Sequence, residues 1–276
     1  MSTTGTDGSL VTDAVREAAR HGEPDRYLAA LLAPRSVRGD LAALAAFSAE
    51  LARIAQIVRE PMVSEIRLQW WRDALETIAR GESTAHPVAD ALAGAMRRHH
   101  LPAALLQSLI DARSVELGIE AAADEHALGA YLEAVEGTLF QLALHVLGLA
   151  DNPHLDATVS AAARAYGIAR RPGRLLLALH APELVLPGPQ SGSALPGEAR
   201  DALAALREEA RAALVAVRAG WRTPDPGSLP AFLPLVMVEP YLRAQERMAD
   251  PLHDVADIAP LTRVWRIWRA SMRGRI

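Results

Sequence analysis

AFSAELARIAQIVREP, residues 46–61, decides how the chain is read. Leu44, Phe47 with Ser48, Leu51, Ala55 and Val58 recur at steps of three and four, the spacing of one face of an α-helix. Pro61 closes the helix because its ring nitrogen has no hydrogen to donate. In the middle of this face Ala52 and Gln56, one turn apart, carry no carboxylate, and Arg53 beside them is positive. Such a face does not suit a divalent cation, which takes oxygen ligands.

Directly after it, Pro61 and Ser64 start a helix whose stripe is Ile66, Trp70, Ala74 and Ile78, with Trp71 and Leu75 alongside, until Gly81 stops it. Upstream, a polar tail leads into a helix over 11–20, Pro24-Asp25 opens a second with Tyr27, Leu28, Leu31 and Leu32, and Asp40 or Ser36 caps the central one. Downstream, His86-Pro87 and Pro102 open two more, followed by a longer helix over 125–147 in which Leu128, Leu132, Val135, Leu139 and Leu142 point inward. Gly137 inside that helix costs about 1 kcal/mol of helix stability, which predicts the close approach of another backbone or a ligand. The span 157–180 is helical in composition with a break at Pro172-Gly173, PGPQSGSALPG (187–197) is a loop, and helices over 198–221, 232–248 and 260–273 complete the chain. Alternating β patterns are nearly absent. The reading is an all-α protein with a short N-terminal tail and helix over 1–22 and one domain over 23–276.

Composition narrows the chemistry. The chain has 276 residues, 50% of them hydrophobic, enough for a sizeable core. It has no cysteine, which removes disulfides, thiolate catalysis and cysteine-held zinc. All 29 of its Lys and Arg residues are Arg, and the net charge is −4 with no basic stripe interleaved with aromatics, which points away from nucleic acid. The N-terminus has no signal-peptide pattern and no apolar run reaches the ~20 residues of a membrane span, so a cytoplasmic protein, at most peripheral at the inner membrane, is expected. There is no Gly-x-Ser-x-Gly elbow, P-loop or dinucleotide fingerprint.

The ordered series DRYLAALLAPRSVRGDLAALAAFSAELARI (25–54), EIRLQWWRDALETI (65–78), HPVADAL (86–92), YLEAVEGTLF (131–140), AYGIA (165–169) and LPAFLPLVMVEPYLRAQER (229–247) resembles the squalene/phytoene synthase family from Asp25 to Arg269. The resemblance implies a single isoprenoid-synthase helical bundle around a central cavity. In that family two Asp-rich helices face each other there and hold Mg²⁺, which grips the diphosphates of two prenyl diphosphates. Metal held by carboxylates stabilises the charge that develops on a departing diphosphate.

At both motifs this sequence departs from the family. Ala52, Arg53 and Gln56 stand where the first motif has its acids; Arg171, Arg174 and Ala178 stand in the second, and no Asp or Glu occurs over 157–182. EIRLQWWRDALE and LPAFLPLVMVEPYL resemble the branch of the family that includes a mitochondrial complex I assembly factor and has lost much of the metal apparatus. That resemblance implies a non-catalytic binding or assembly role, with no metal and a respiratory complex subunit as the protein partner. The alternative is a head-to-head prenyltransferase with a rearranged Mg²⁺ site, and a third reading is a carrier of an isoprenoid or lipid in the retained cavity.

Candidate cavity residues are Tyr27, Phe47, Trp70, Trp71, Tyr131, Gly137, Tyr166 and Arg170. Core packing is the default for the two tryptophans, at least one of which faces inward. Arg53, Arg170, Arg171 and Arg174 suit an anion, with ordinary salt bridges as the commoner fate. Glu50 sits about 200° around the helix from Ala52 and is expected to point away, whereas Glu60 shares the face of Gln56. Glu116 and Glu120 form an i, i+4 acid pair at a charged helix end. His99, His100, His145 and His180 have no ligand array and read as structural. The last helix, with Leu261, Val264, Trp265, Ile267 and Trp268 among arginines, is a candidate for an anionic membrane surface or a partner.

Overall fold

The computed structural model describes residues 12–57, 61–117, 126–184, 197–220 and 226–276, all helix and connecting turns with no strand among them. The loop expected over 187–197, apart from Gly197, the acids Glu60 and Glu120, and the side chain of Gln56 lie outside the described residues.

Helix α1 (Asp13–Gly22) starts where the Thr12 hydroxyl accepts from the Val15 amide at 3.4 Å, and α2 (Pro24–Leu32) places proline at its first turn, where a missing N–H does no harm. Both pack on α3 (Arg38–Ile57), the helix of the opening stretch. An amphipathic α3 was the expectation, but Leu41 to Ala49 are buried on every side. The reason is its run of alanines, which lets neighbours approach all round; a Cβ on Gly22 of α1 would collide with Ala49. Helices α4 (Pro61–Ala79), α5 (Pro87–His99) and α6 (Ala103–Leu117) also pack against it. The ring of His86 caps α5 by accepting from the Ala89 amide at 3.4 Å.

The long helix expected over 125–147 is interrupted. Helix α7 (Ala127–Leu132) passes into a π-helical turn over Glu133–Gly137 and then α8 (Thr138–Val146). The wider turn carries Glu136, on the inward stripe four residues after Leu132, and that side chain is fully buried. Gly137 does have close neighbours, the Glu133 side chain and Ala163 of α9 (Asp156–Arg170). Another glycine is tighter still: a Cβ on Gly167 of α9 would run into Leu132.

The break at proline is present. Arg171 is extended, as a residue preceding proline prefers, and α10 (Gly173–His180) begins anew. Its first amides are satisfied from outside, Gly173 N–H by the Pro251 carbonyl at 2.9 Å and Arg174 N–H by that of Leu252 at 3.0 Å. Helix α11 (Gly197–Gly220) packs along α9. In the final third, α12 (Leu229–Phe232), a 3₁₀ segment over Leu233–Met237 and α13 (Val238–Gln245) bring Phe232 flat against Phe140 at 5.5 Å, and α14 (Pro260–Arg273) closes against α2 and that 3₁₀ segment. No helix among the described residues is long and apolar enough to cross a membrane.

Candidate functional site

A cleft of about 1270 Å³ opens between α1, the second half of α3, the junction of α9 and α10, and the 253–263 segment. Ala52 and Arg53 line it from α3, and Arg170 and Arg171 line it from the end of α9. The two stretches read from the sequence as altered metal motifs therefore border one space. Arg174 and Ala178 are not in its wall: Arg174 donates its backbone amide to the Leu252 carbonyl and Ala178 is core.

What fills the floor is a buried ion network. Glu136 accepts from Arg26 Nη2 at 2.8 Å and from Arg171 Nη2 at 2.8 Å, one arginine on each carboxylate oxygen. Glu23 accepts from the Ser48 hydroxyl at 2.9 Å, from Arg170 Nη1 at 2.6 Å and from Arg26 Nη1 at 3.2 Å, so Arg26 bridges the two acids. Burial alone would raise the pKa of Glu136, but the charges of Arg26, Arg171 and Arg170 outweigh it and hold it down at about 2. Glu23 is likewise lowered, its burial overcome by Arg170 and Arg26. Arginine planes rest on aromatic rings: Arg26 lies 5.0 Å from the Tyr166 centroid and 5.2 Å from that of Phe140, and Arg170 lies 5.1 Å from Tyr166 on its side.

A second hub is Asp25. Its Oδ2 accepts from the Tyr166 hydroxyl at 2.9 Å and the Tyr241 hydroxyl at 2.8 Å, while Arg263 Nε of α14 stands 2.7 Å from Oδ1, an ion pair whose N–H is not aimed at the oxygen. Burial, with Asp25 adding to it, pushes Tyr241 up to about 12, so its proton stays on to serve the carboxylate. A third acid, Glu116, accepts from Arg113 Nη1 at 2.6 Å and from the Tyr131 hydroxyl at 2.5 Å. It was expected on a charged helix end; instead it is mostly buried and lines the cleft, because Arg113, itself 1% exposed, draws it inward. Glu50, expected to face away, also lines the cleft, 3.8 Å from Arg53, because beyond Ala49 one side of α3 opens on the space while Leu51 and Ile54 stay buried.

Of the residues expected around a cavity, Arg170 lines this cleft; Tyr27, Phe47, Trp70, Trp71, Tyr131, Gly137 and Tyr166 do not. Tyr27 is half-buried against the core. Phe47 and Trp71 meet edge to face at 5.0 Å, and Trp70, His86 and Trp71 continue that cluster. Tyr131 and Tyr166 lie behind the wall, their hydroxyls donating to Glu116 and Asp25 and their rings lying against Arg171 and against Arg26 with Arg170. His99 holds the buried Asp40 at 2.7 Å with Arg98 beside it, a structural role. His145 is lowered by its partial burial, and His180 is exposed.

Glu23, Asp25, Arg26, Glu136, Tyr241 and Arg263 were not singled out in the sequence. One clue was present: Asp25 is one turn from Ala29 and Glu136 one turn from Leu132 and Phe140, charged residues on inward stripes. The donor chemistry is that of ion pairs rather than of a Mg²⁺ cage. The carboxylates of Glu23, Glu116 and Glu136 already accept from arginines, and among the described residues no three His, Asp or Glu side chains gather as ligands for one ion.

Comparison with known proteins agrees with this architecture. A structure of the squalene synthase HpnC from Alicyclobacillus acidocaldarius superposes with a TM-score of 0.64 over 85% of this chain and 92% of that one at 19% identity, which shows the fold. NADH dehydrogenase (ubiquinone) complex I assembly factor 6 of Bos taurus is 34% identical over 152 residues, and that of Homo sapiens 33% identical over the same length. The match takes in 55% of this chain and 45% of each relative, so the chain spans about half the length of the relatives it matches. The family model for squalene/phytoene synthase matches residues 19–171, more than half of the chain, and this chain belongs to the squalene/phytoene synthase family.

Proposed function

We propose that this chain is a non-catalytic member of its family that holds no Mg²⁺ and acts by binding a protein partner during assembly of a respiratory complex, in the cytoplasm at the inner membrane. The observation that carries the reading is the pairing of Glu136 with Arg171, a residue of the altered second motif. To grip a metal, Glu136 would have to abandon Arg26 and Arg171, and breaking a buried pair costs about 3–5 kcal/mol. To grip a diphosphate directly, the arginines would have to abandon Glu23 and Glu136 at a similar penalty. The likeness to complex I assembly factors over 152 residues supports the partner class.

The test is genetic and quantitative. Deleting the gene is expected to lower the amount of fully assembled complex I, with restoration by the intact gene; unchanged complex levels would remove the assembly assignment.

The size of the cleft favours a second reading, a head-to-head prenyltransferase with a rearranged metal site or a carrier of an isoprenoid chain. Turnover of a prenyl diphosphate separates the enzyme from both binding roles.

A further inference from the structure

Helix α14 has two faces of opposite character. One is fixed in the fold: Ile267 and Ala270 are buried and Arg263 is paired with Asp25. On the other, Leu261 (85% exposed), Val264, Trp265, Trp268 and Met272 (70%) stand in solvent. At about 100° per residue these five fall within about 60° of Leu261, on the side of the helix away from Ile267 and Ala270. The two indoles lie 5.3 Å apart, tilted together.

The charge beside this stripe has one sign. Arg266, Arg269 and Arg273 are exposed and fall along a single flank of it, Arg275 follows, and residues 260–276 include no Asp or Glu in a chain whose net charge is −4. Asp254 and Asp257 precede the helix, and Asp257 lines the cleft. A second exposed apolar stripe, Met62, Ile66 and Trp70 on α4, is bordered by Glu65, Arg67 and Asp73 and has no such bias.

We infer that α14 is a membrane-docking helix, which lies flat in the headgroup region of an anionic phospholipid bilayer with Leu261, Trp265, Trp268 and Met272 inserted and Arg266, Arg269 and Arg273 on the lipid phosphates. Three features select a bilayer over a protein. The apolar stripe is a single line one helix wide, two of its members are tryptophans, which favour the interface, and the flanking charge is wholly arginine. The face opposite is anchored by Ile267 and Arg263, so the stripe is presented without unfolding. This inference stands apart from the assembly reading and would hold for a carrier or an enzyme equally.

The test is co-sedimentation of the full chain with vesicles of phosphatidylcholine alone and of phosphatidylcholine mixed with phosphatidylglycerol. Binding is expected to the mixed vesicles only, weakening as salt is raised. Replacing the three exposed arginines by glutamine (R266Q, R269Q, R273Q) is expected to weaken it by about a hundredfold, at roughly one interfacial charge per tenfold or less. Trp265→Ala with Trp268→Ala is expected to weaken it about tenfold or more, with either variant still folded, as a helical circular dichroism spectrum and a cooperative melt would show. No retention on the mixed vesicles, equal retention on neutral ones, or variants that sediment like the parent would each overturn the inference.

Discussion

Glu136 and Arg171 meet at 2.8 Å beneath the floor of the cleft, the acid supplied by a π-helical turn and the guanidinium by the extended residue before Pro172. Neither irregularity is incidental. The π turn holds a charged residue on the inward side of the bundle, and the break at proline turns Arg171 away from the helix axis to meet it.

Replacing Glu136 by Gln leaves Arg171 without the acid it pairs with and leaves Arg26 with Glu23 alone. The expected loss is about 3–5 kcal/mol of unfolding free energy, read from urea denaturation. An apolar replacement of the whole set, Glu136→Leu with Arg26→Leu and Arg171→Met, is expected to recover part of this loss, because the arginine charges leave with the acid.

Acid should unfold the protein in a defined window. The pKa of Glu136 falls from 4.5 to about 2 on folding, so below pH 4.5 the unfolded chain takes up a proton that the folded one refuses. Its contribution, about 3 kcal/mol, is complete above that pH and is lost as pH falls toward 2. Glu23 and Glu116 shift in the same direction and steepen the loss. Thermal melting between pH 6 and pH 2 measures it, and in the Glu136→Gln variant the slope should be shallower.

At the Asp25 hub the two kinds of substitution should separate. Tyr241→Phe removes one hydroxyl while Tyr166 and Arg263 remain, with an expected loss of about 1 kcal/mol. Asp25→Ala strands Arg263 and both hydroxyls and should lose about 3–5 kcal/mol. Equal losses in chemical denaturation would mean that the carboxylate is not the organising group.

Gly167→Ala tests the close packing of α9 on the π turn. The added methyl would run into Leu132 and stand 3.2 Å from Glu136 Cγ, so a loss of about 1–3 kcal/mol is expected from denaturation curves.

The bundle was legible in the sequence because helical spacing and proline punctuation act locally: Pro61, Pro87 and Pro260 each open a helix as read. The family's order of landmarks led to Ala52 and Arg171 as altered motif positions, and both border the cleft, Arg171 from the extended junction after α9. The ion network was not legible, because its members come from residues 23 to 263 and periodicity says nothing about pairs so far apart. The π turn and the all-round burial of α3 escaped for the same reason: each depends on which helix lies opposite. Glu116 and Glu50 were placed on solvated faces because a helix wheel shows where a side chain starts, not which arginine draws it in.

The central proposal is that the ion network of this cleft takes the place of a metal-diphosphate site. The most direct measurement is incubation of the purified full chain with farnesyl or geranylgeranyl diphosphate and Mg²⁺, following diphosphate release and hydrocarbon product. The account predicts no release above a protein-free blank; release of diphosphate with formation of a squalene- or phytoene-length hydrocarbon would contradict it.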